Sequence, residues 1–196
     1  GRPTADLEHL RATLTPAQIL PMRPLRPERP PIVVFPEDTG LAAAEQRVLL
    51  VDIAPQANAT SALGVQATED DVTIYEVLLG ESPLVEAVRR DVLPYLDLVP
   101  SANRLNGAEV ELVPLLSRET RLQRALAPVL ANYAYVVVDC PPSLGLLTVN
   151  TLTAADSVLI PIQCEYYALE GLGQLTHTLE LVRQNLNPRL AVEGVL

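Results

Sequence analysis

The stretch Tyr135-Val-Val-Val-Asp139, followed by Cys140-Pro141-Pro142, decides the fold class. A second stretch, Arg47-Val-Leu-Leu-Val-Asp52, has the same form and also ends in an aspartate. Runs that are apolar at consecutive positions are typical of strands in a parallel sheet that is covered by helices on each face. Both stretches are therefore predicted to be buried strands, each with a carboxylate at its carboxyl end.

Further strands and helices alternate along the rest of the chain. Four more strands are predicted: Ile32 to Phe35, Leu96 to Val99, Ser157 to Ile162 and Ala191 to Leu196. Five helical stretches lie between strands: Val72 to Leu79, Pro83 to Arg90, Ala108 to Asn132, Leu144 to Ala155 and Ala168 to Asn187. This order predicts an α/β fold with a doubly wound, mostly parallel sheet and helices on both faces, whose ligands bind at the carboxyl ends of the strands.

The first 31 residues differ from the rest. Prolines recur there at every third position, namely Pro21, Pro24, Pro27 and Pro30. In a polyproline II helix, which has about three residues per turn, they would share one edge. Such a segment is either a semi-rigid linker, the favoured interpretation, or a docking peptide for an aromatic groove or an acidic partner. We therefore expect a Pro/Arg-rich N-terminal segment or linker at 1–31 and a partial α/β domain at 32–196.

Composition excludes several classes of function. The chain has 196 residues, 48% of them hydrophobic, which suits one globular core. No apolar run reaches the ~20 residues of a membrane span, so a cytoplasmic protein without a membrane partner is expected. Cys140 and Cys164 each lie beside an apolar run and are predicted to be small buried thiols rather than a disulfide or a metal pair.

The charge of the chain is acidic and unevenly distributed. The net charge is -10, and all 14 basic residues are arginine, so the sequence contains no lysine. Five arginines and three acidic residues precede position 32, which leaves nine arginines against 21 acidic residues in the remainder. Because wrapping nucleic acid requires clustered basic side chains, a broad DNA-binding surface is not expected.

The two strand-end aspartates are the candidates for chemistry. A carboxylate at the carboxyl end of a buried parallel strand is well placed to hold Mg²⁺ through water, in a crevice that accepts phosphates. The alternative for either residue alone is a turn or helix-capping aspartate, which is more common. Two such residues with similar flanking sequence strengthen the interpretation as a nucleotide site.

The flanking sequence also resembles a known family. Asp52 with the following Pro55-Gln56-Ala57-Asn58-Ala59-Thr60 resembles the segment after the deviant Walker loop in the ParA/Soj branch of the MinD-like P-loop ATPases. Tyr135 to Gly145 is similar to that family's Walker B strand and switch. The stretches Leu159 to Gly171 and Pro100 to Leu112 also match in order. On this basis the chain is identified as a ParA/Soj-type partitioning ATPase over most of Leu41 to Leu196.

The resemblance implies a dimer that is switched by ATP and Mg²⁺, binds DNA non-specifically and is stimulated by a ParB-like centromere-binding protein. By resemblance, Asp139 holds Mg²⁺ and Asp52 supports the phosphate site, and both are assigned catalytic and cofactor-binding roles. The other residues assigned to the cofactor site are Pro55, Gln56, Pro141 and Pro142. Gln163 to Gly171 are assigned to the switch and dimer surface, where a second ParA-like subunit would bind.

The sequence departs from the family pattern where the phosphate loop is expected. The family has a Gly-rich loop with two lysines, whereas Ile32 to Phe35 is followed here by Pro36-Glu37-Asp38-Thr39-Gly40. A phosphate cradle needs consecutive N–H groups, glycine and a cation, so this acidic segment would repel a triphosphate. The connecting helix Leu41 to Gln46 would span only ~9 Å, less than an ordinary strand of ~17 Å. We therefore expect that Ile32 to Phe35 is not the central strand or that the connection is distorted, and that the sheet loses its usual centre.

Two further departures concern hydrolysis and DNA binding. Ala54 stands where the family pattern has an aspartate that helps to place the attacking water, which predicts slow hydrolysis with binding retained, while the missing lysines predict weak binding as well. The family continues beyond the position of Leu196 with the adenine pocket and most DNA-contacting basic residues. The expectation is a degenerate ParA-like ATPase that is unable to hydrolyse ATP. The alternatives are a non-enzymatic modulator or an inactive fragment that associates with an intact ParA-like protein.

Overall fold

Seven strands form one sheet in the computed structural model, which describes residues 32–34, 46–141, 143, 145–160 and 168–195. In sheet order, β3-β4-β2-β5-β1-β6-β7, every neighbouring pair is parallel except β3 and β4. The strands are β1 (Ile32–Val34), β2 (Val48–Asp52), β3 (Arg89–Leu93), β4 (Leu96–Val99), β5 (Tyr135–Asp139), β6 (Ser157–Ile160) and β7 (Ala191–Val195). The predicted mostly parallel α/β sheet is confirmed.

Helices cover both faces of this sheet. They are α1 (Asn58–Ala62), α2 (Ile74–Leu79), α3 (Leu84–Ala87), α4 (Leu105–Glu111), α5 (Arg121–Leu126), α6 (Leu146–Ala154) and α7 (Ala168–Asn185), with 3-10 turns at Arg118–Thr120 and Leu130–Asn132. Successive residues of β2 point to opposite faces, so Leu49 and Val51 join the larger core under α2 to α7. Val48 and Leu50 join the smaller core, against which Ala59 of α1 packs. Burial on both faces explains the continuous apolar runs.

The short strand β1 lies inside the sheet, between β5 and β6. Asp156 fixes its start, because the Ile32 N–H donates to the buried Asp156 Oδ2 at 3.0 Å and the Asp156 N–H donates to the Ile32 carbonyl at 2.8 Å. The prediction that the sheet loses its centre is therefore wrong, although the middle strand of the seven is β5, which agrees with the option that Ile32 to Phe35 is not the central strand. The connection over residues 35–45 lies outside the described residues.

The predicted helix from Ala108 to Asn132 is wrong as a single element. α4 ends at Glu111 and α5 begins only at Arg121. Pro114 and Pro128 each lack an N–H group and clash with the preceding turn, so a continuous helix is excluded. Ser117, in the left-handed region at φ 52°, redirects the chain between the two helices.

The predicted helix from Pro83 to Arg90 is also too long. Only Leu84–Ala87 is helical, and Arg89 already begins the antiparallel edge strand β3. Two hydrogen bonds to the buried Asp97 of β4 hold this edge: the Asp91 N–H donates to Oδ1 and the Tyr133 hydroxyl donates to Oδ2, both at 2.8 Å. Asp91 lies only six residues from Asp97, whereas Tyr133 is 36 residues away, so a local hairpin and one distant contact together outweigh helix propensity.

Replacing Tyr133 with Phe tests this buried pair. The substitution leaves Asp97 Oδ2 without the hydroxyl donor, so we expect the free energy of unfolding in urea at pH 7 to fall by about 1–3 kcal/mol. Tyr95→Phe, at a side chain that is 48% exposed, is the matched control and should change it by less than about 0.5 kcal/mol. Equal effects of the two substitutions would contradict the assignment.

Candidate functional site

The two predicted aspartates are neighbours at the carboxyl edge of the sheet. β2 and β5 pair in parallel with Asp52 directly opposite Asp139. On the other side of β5, Val34 of β1 lies opposite Val138. The chain that leaves β1 therefore emerges beside Asp139, so that β1, β2 and β5 together define the floor of the candidate site.

Asp52 is fully buried and serves as a hydrogen-bond acceptor for the chain that follows it. Its Oδ1 accepts from the Ala54 N–H at 3.1 Å, and its Oδ2 accepts from the Thr60 N–H at 2.8 Å and the Thr60 hydroxyl at 2.7 Å. Burial raises the pKa of the Asp52 carboxyl, and the bonds from Thr60 and Ala54 oppose that rise. In this conformation Asp52 organises residues 53–60 and does not reach the open edge.

Ser101 extends this polar network from β2 to the end of β4. The Ser101 N–H donates to the Thr60 hydroxyl oxygen at 3.0 Å, and the Ser101 hydroxyl donates to the Ala54 carbonyl at 2.7 Å. Both main-chain polar groups of Ala54 are thus engaged, and its methyl group is almost fully buried. Ala54, which stands where an aspartate was expected, has a fixed backbone, but its side chain offers no group that could orient water.

Asp139 and Cys140, at the end of β5, have little exposed surface, and the Cys140 thiol is unreactive. The Asp139 side chain is 9% exposed, and its main-chain carbonyl accepts the Ile53 N–H at 2.9 Å. Cys140 is a free thiol that packs against the core but is only partly buried, whereas a buried thiol was predicted, and desolvation and the Asp139 charge raise its pKa to about 12. The thiol is therefore protonated at neutral pH and is a poor nucleophile.

The structure brings some of the remaining predicted residues to this edge and leaves others undescribed. Pro55 and Pro141 are buried beside the strand ends, whereas Gln56 is exposed. Pro142, Cys164 and the side chains of 163–171 lie outside the described residues, as do residues 1–31. Their assigned roles stay predictions.

The residues present fit a hydrated cation better than a nucleotide. Mg²⁺ keeps several waters and needs only one or two carboxylates, a role that Asp139 suits, although no cluster of three or more ligating side chains occurs in the described part of the chain. Phosphates need cations, but residues 32–46 contain neither lysine nor arginine. Arg104, near the end of β4, is already bound to Glu76 Oε1 at 2.8 Å. The described edge therefore does not fit a bound triphosphate.

A close contact between Glu109 and Gly145 was not assigned a role from the sequence. Gly145 caps α6, and a Cβ atom there would lie 1.8 Å from Glu109 Oε1. This oxygen is buried and has no hydrogen-bond partner among the described residues. The Glu109 carboxylate of α4 thus lies against the N-cap residue of α6, where the helix dipole favours a negative charge. The only sequence signal was that both residues fall within family-like stretches.

Comparisons with known proteins agree with this geometry. The sheet and its carboxyl edge define a P-loop NTPase-like α/β fold, and a family model described as an AAA domain matches residues 38–192. The chromosome partitioning protein ParA of Myxococcus xanthus is 59% identical over 157 residues, which cover 80% of this chain and 56% of that protein. The sporulation initiation inhibitor protein Soj of Bacillus subtilis is 53% identical over 156 residues, which cover 80% and 62%.

A solved structure supports the same assignment. Cobyrinic acid a,c-diamide synthase from Mycobacterium smegmatis, with a bound ATP analogue and magnesium, superposes with a TM-score of 0.78 at 37% identity, over 85% of this chain and 74% of that one.

The chain belongs to the ParA/Soj-type family of AAA-domain ATPases. It spans less than two thirds of the length of the ParA and Soj relatives. None of its described helices is long and apolar enough to cross a membrane.

Gly145→Ala tests the contact beneath the post-Asp139 loop. The added methyl group displaces only the far end of the flexible Glu109 side chain, so we expect the free energy of unfolding to fall by no more than about 1 kcal/mol. Gly173→Ala, in α7 with nothing within 4 Å, should instead be neutral or stabilising by up to about 1 kcal/mol. Adding Glu109→Ala to Gly145→Ala should recover part of the loss, and a strictly additive double mutant would contradict the contact.

Proposed function

We propose that this chain is a degenerate ParA-like partitioning protein, which keeps the carboxyl edge of the ATPase sheet and does not hydrolyse ATP. The observation that carries the proposal is the register of Asp52 with Asp139 at an edge whose neighbouring loop has no basic residue. The carboxylate that would hold Mg²⁺ is retained. The charges that would neutralise the phosphates are missing.

Electrostatics supports the loss of nucleotide affinity. In the sequence, β1 is followed by Pro36-Glu37-Asp38-Thr39-Gly40, which adds two carboxylates and no basic residue. Like charges close together near a protein surface repel by several kcal/mol at an effective dielectric constant of ~20. A triphosphate would add its own negative charge to an acidic chain that contains no lysine to offset it.

Ala54 supports the loss of hydrolysis independently of binding. Its backbone is fixed by Asp52 and Ser101, so the methyl group cannot be exchanged for a neighbouring polar side chain by a small shift. A methyl group neither accepts a proton nor orients water. Even a chain that bound Mg²⁺ and ATP weakly would therefore lack one of the groups that the reaction needs.

The remaining family properties are proposals for this chain. ATP and Mg²⁺ are the expected cofactors, because related structures were solved with an ATP analogue or ADP and magnesium, with Asp139 as the Mg²⁺ contact. A ParB-like protein and a ParA-like subunit are the expected partners in chromosome or plasmid segregation in the cytoplasm. Residues 1–31 would act as a linker outside the partial domain at 32–196. The net charge of -10 argues against tight DNA binding.

Equilibrium binding of Mg²⁺-ATP by calorimetry tests the main proposal. We expect a Kd above about 1 mM, which corresponds to less than roughly 4 kcal/mol of binding free energy, and no phosphate release above buffer. The intact Myxococcus xanthus ParA is the positive control, and Asp139→Ala and the exposed Asp70→Ala are the matched variants. Steady Mg²⁺-dependent phosphate release that Asp139→Ala abolishes and Asp70→Ala leaves intact would contradict the proposal.

One exposed surface favours a second candidate function, that of a non-enzymatic modulator. Val110, Val113 and Leu116, here termed the 110–116 ridge, expose 74%, 52% and 89% of their surface. They follow one another on α4 and the turn after it, next to Glu109 and hence to the loop after Asp139. Contiguous exposed apolar side chains are typical of protein interaction sites. The occupant would be an intact ParA-like protein.

Co-purification with an intact ParA-like protein tests this second function. The wild-type chain should be retained by immobilised Myxococcus xanthus ParA, and Leu116→Ser should lower retention at least about fivefold, since burial of such a side chain contributes roughly 1.5–3 kcal/mol. Leu181→Ser, at an exposed site on α7, is the control and should bind like wild type. No retention of the wild-type chain, or equal retention of both variants, would exclude association through this ridge.

A further inference from the structure

A cavity of about 410 Å³ lies between α2, α3 and α5, away from the aspartate edge. Val77, Leu84 and Val129 form its buried apolar wall, and Val85, which is 52% exposed, lies at its rim. Arg121 and Arg124 also line it. The volume is within the ~300–1,000 Å³ of small-molecule sites, which combine apolar walls with a few polar groups.

Arg121 is only partly satisfied by the protein. Its Nη1 donates to the carbonyls of Leu78 at 3.0 Å and Leu79 at 2.8 Å, at the end of α2. Its Nε is buried, and no described residue accepts a hydrogen bond from it. A buried donor without an acceptor costs about 1–3 kcal/mol, so a turn of the Arg121 side chain that brings Nε to a ligand acceptor in the cavity would relieve that cost.

Arg124 offers a second cation on the same cavity. Four arginines of the described chain form ion pairs with carboxylates: Arg47, Arg89, Arg104 and Arg118. Arg124 has an exposed side chain and forms no ion pair or hydrogen bond with another described residue. Two guanidinium groups with unused donors thus border one cavity in a chain that is otherwise strongly acidic.

We propose that this cavity binds a small organic acid with an apolar body. The carboxylate would accept hydrogen bonds from the guanidinium groups of Arg121 and Arg124, a pairing that is strong because both partners are charged. The apolar body would lie against Val77, Leu84 and Val129 and would leave water. Neither the walls alone nor the arginines alone would select this class of ligand.

The cavity is separate from the candidate nucleotide edge. The Ile74 N–H at the start of α2 donates to the Pro100 carbonyl at 3.0 Å, next to Ser101. The cavity lies at the other end of α2, where Gly80 ends the helix. Organic-acid binding should therefore be independent of Asp139, which makes the proposal distinguishable from that of the preceding section.

Calorimetric titration of the full chain with decanoate, and with the uncharged decanol, tests the proposal. We expect saturable decanoate binding at one site, at least about tenfold tighter than decanol, because each charged hydrogen bond contributes ~1.5–3 kcal/mol. Arg124→Gln should weaken decanoate binding about tenfold and leave decanol unchanged. Arg183→Gln, on the last turn of α7, is the matched control and should bind as wild type.

Two further variants, at Val85 and Asp139, complete the binding test. Arg121 also caps α2, so the test does not depend on replacing it. Val85→Glu should weaken decanoate binding by placing a negative charge at the rim, and Asp139→Ala should leave it unchanged. Equal affinity for decanoate and decanol, unchanged binding by Arg124→Gln, or loss of binding in Asp139→Ala would each overturn the proposal.

Discussion

The parallel pairing of β2 with β5 is the constraint on which the rest of the structure depends. Both strands are buried on two faces, so their backbone groups must be satisfied by neighbouring strands. β4 lies on one side of this pair and β1 on the other. The register that places Leu49 opposite Val136 also places Asp52 opposite Asp139, so one packing solution determines both the core and the candidate site.

Burial of Asp52 shows how the edge is organised around a carboxylate. Removing a charge from water is costly unless hydrogen bonds replace the lost solvation. Three donors from Ala54 and Thr60 do so, and Ser101 links them to β4. The result is a rigid segment between β2 and α1. Asp52 therefore acts as a scaffold for the site, while Asp139, on the neighbouring strand, is the better candidate for a direct contact with a cation.

Under the proposed function, the family fold is kept in this chain while the family chemistry is lost. The sheet, the strand order and the two aspartates are kept, because they belong to the buried core and its hydrogen-bond network. The proposed loss concerns the phosphate cations and the aspartate expected at position 54, which lie outside the strands that form the core. A chain with this sheet would therefore remain recognisably ParA-like even without nucleotide chemistry. Its surfaces, such as the 110–116 ridge and the arginine-lined cavity, then become the places where function would remain.

The sequence by itself determined the α/β class, β2, β4, β5 and β6 to within about two residues, and the location of both aspartates, because consecutive apolar residues report burial directly. Prediction from the sequence failed where contacts between residues from different elements determine the structure. Asp97 and Tyr133 hold the edge strand β3, which takes the last two residues of a predicted helix, and Asp156 secures β1 within the sheet although the short connection after it argued against that place. Prolines 114 and 128 were visible in the sequence and should have divided the long helix. Only the tertiary structure decided that Asp52 faces inward, that Glu109 meets Gly145 and that two arginines share a cavity, because each depends on side chains brought together from separate elements.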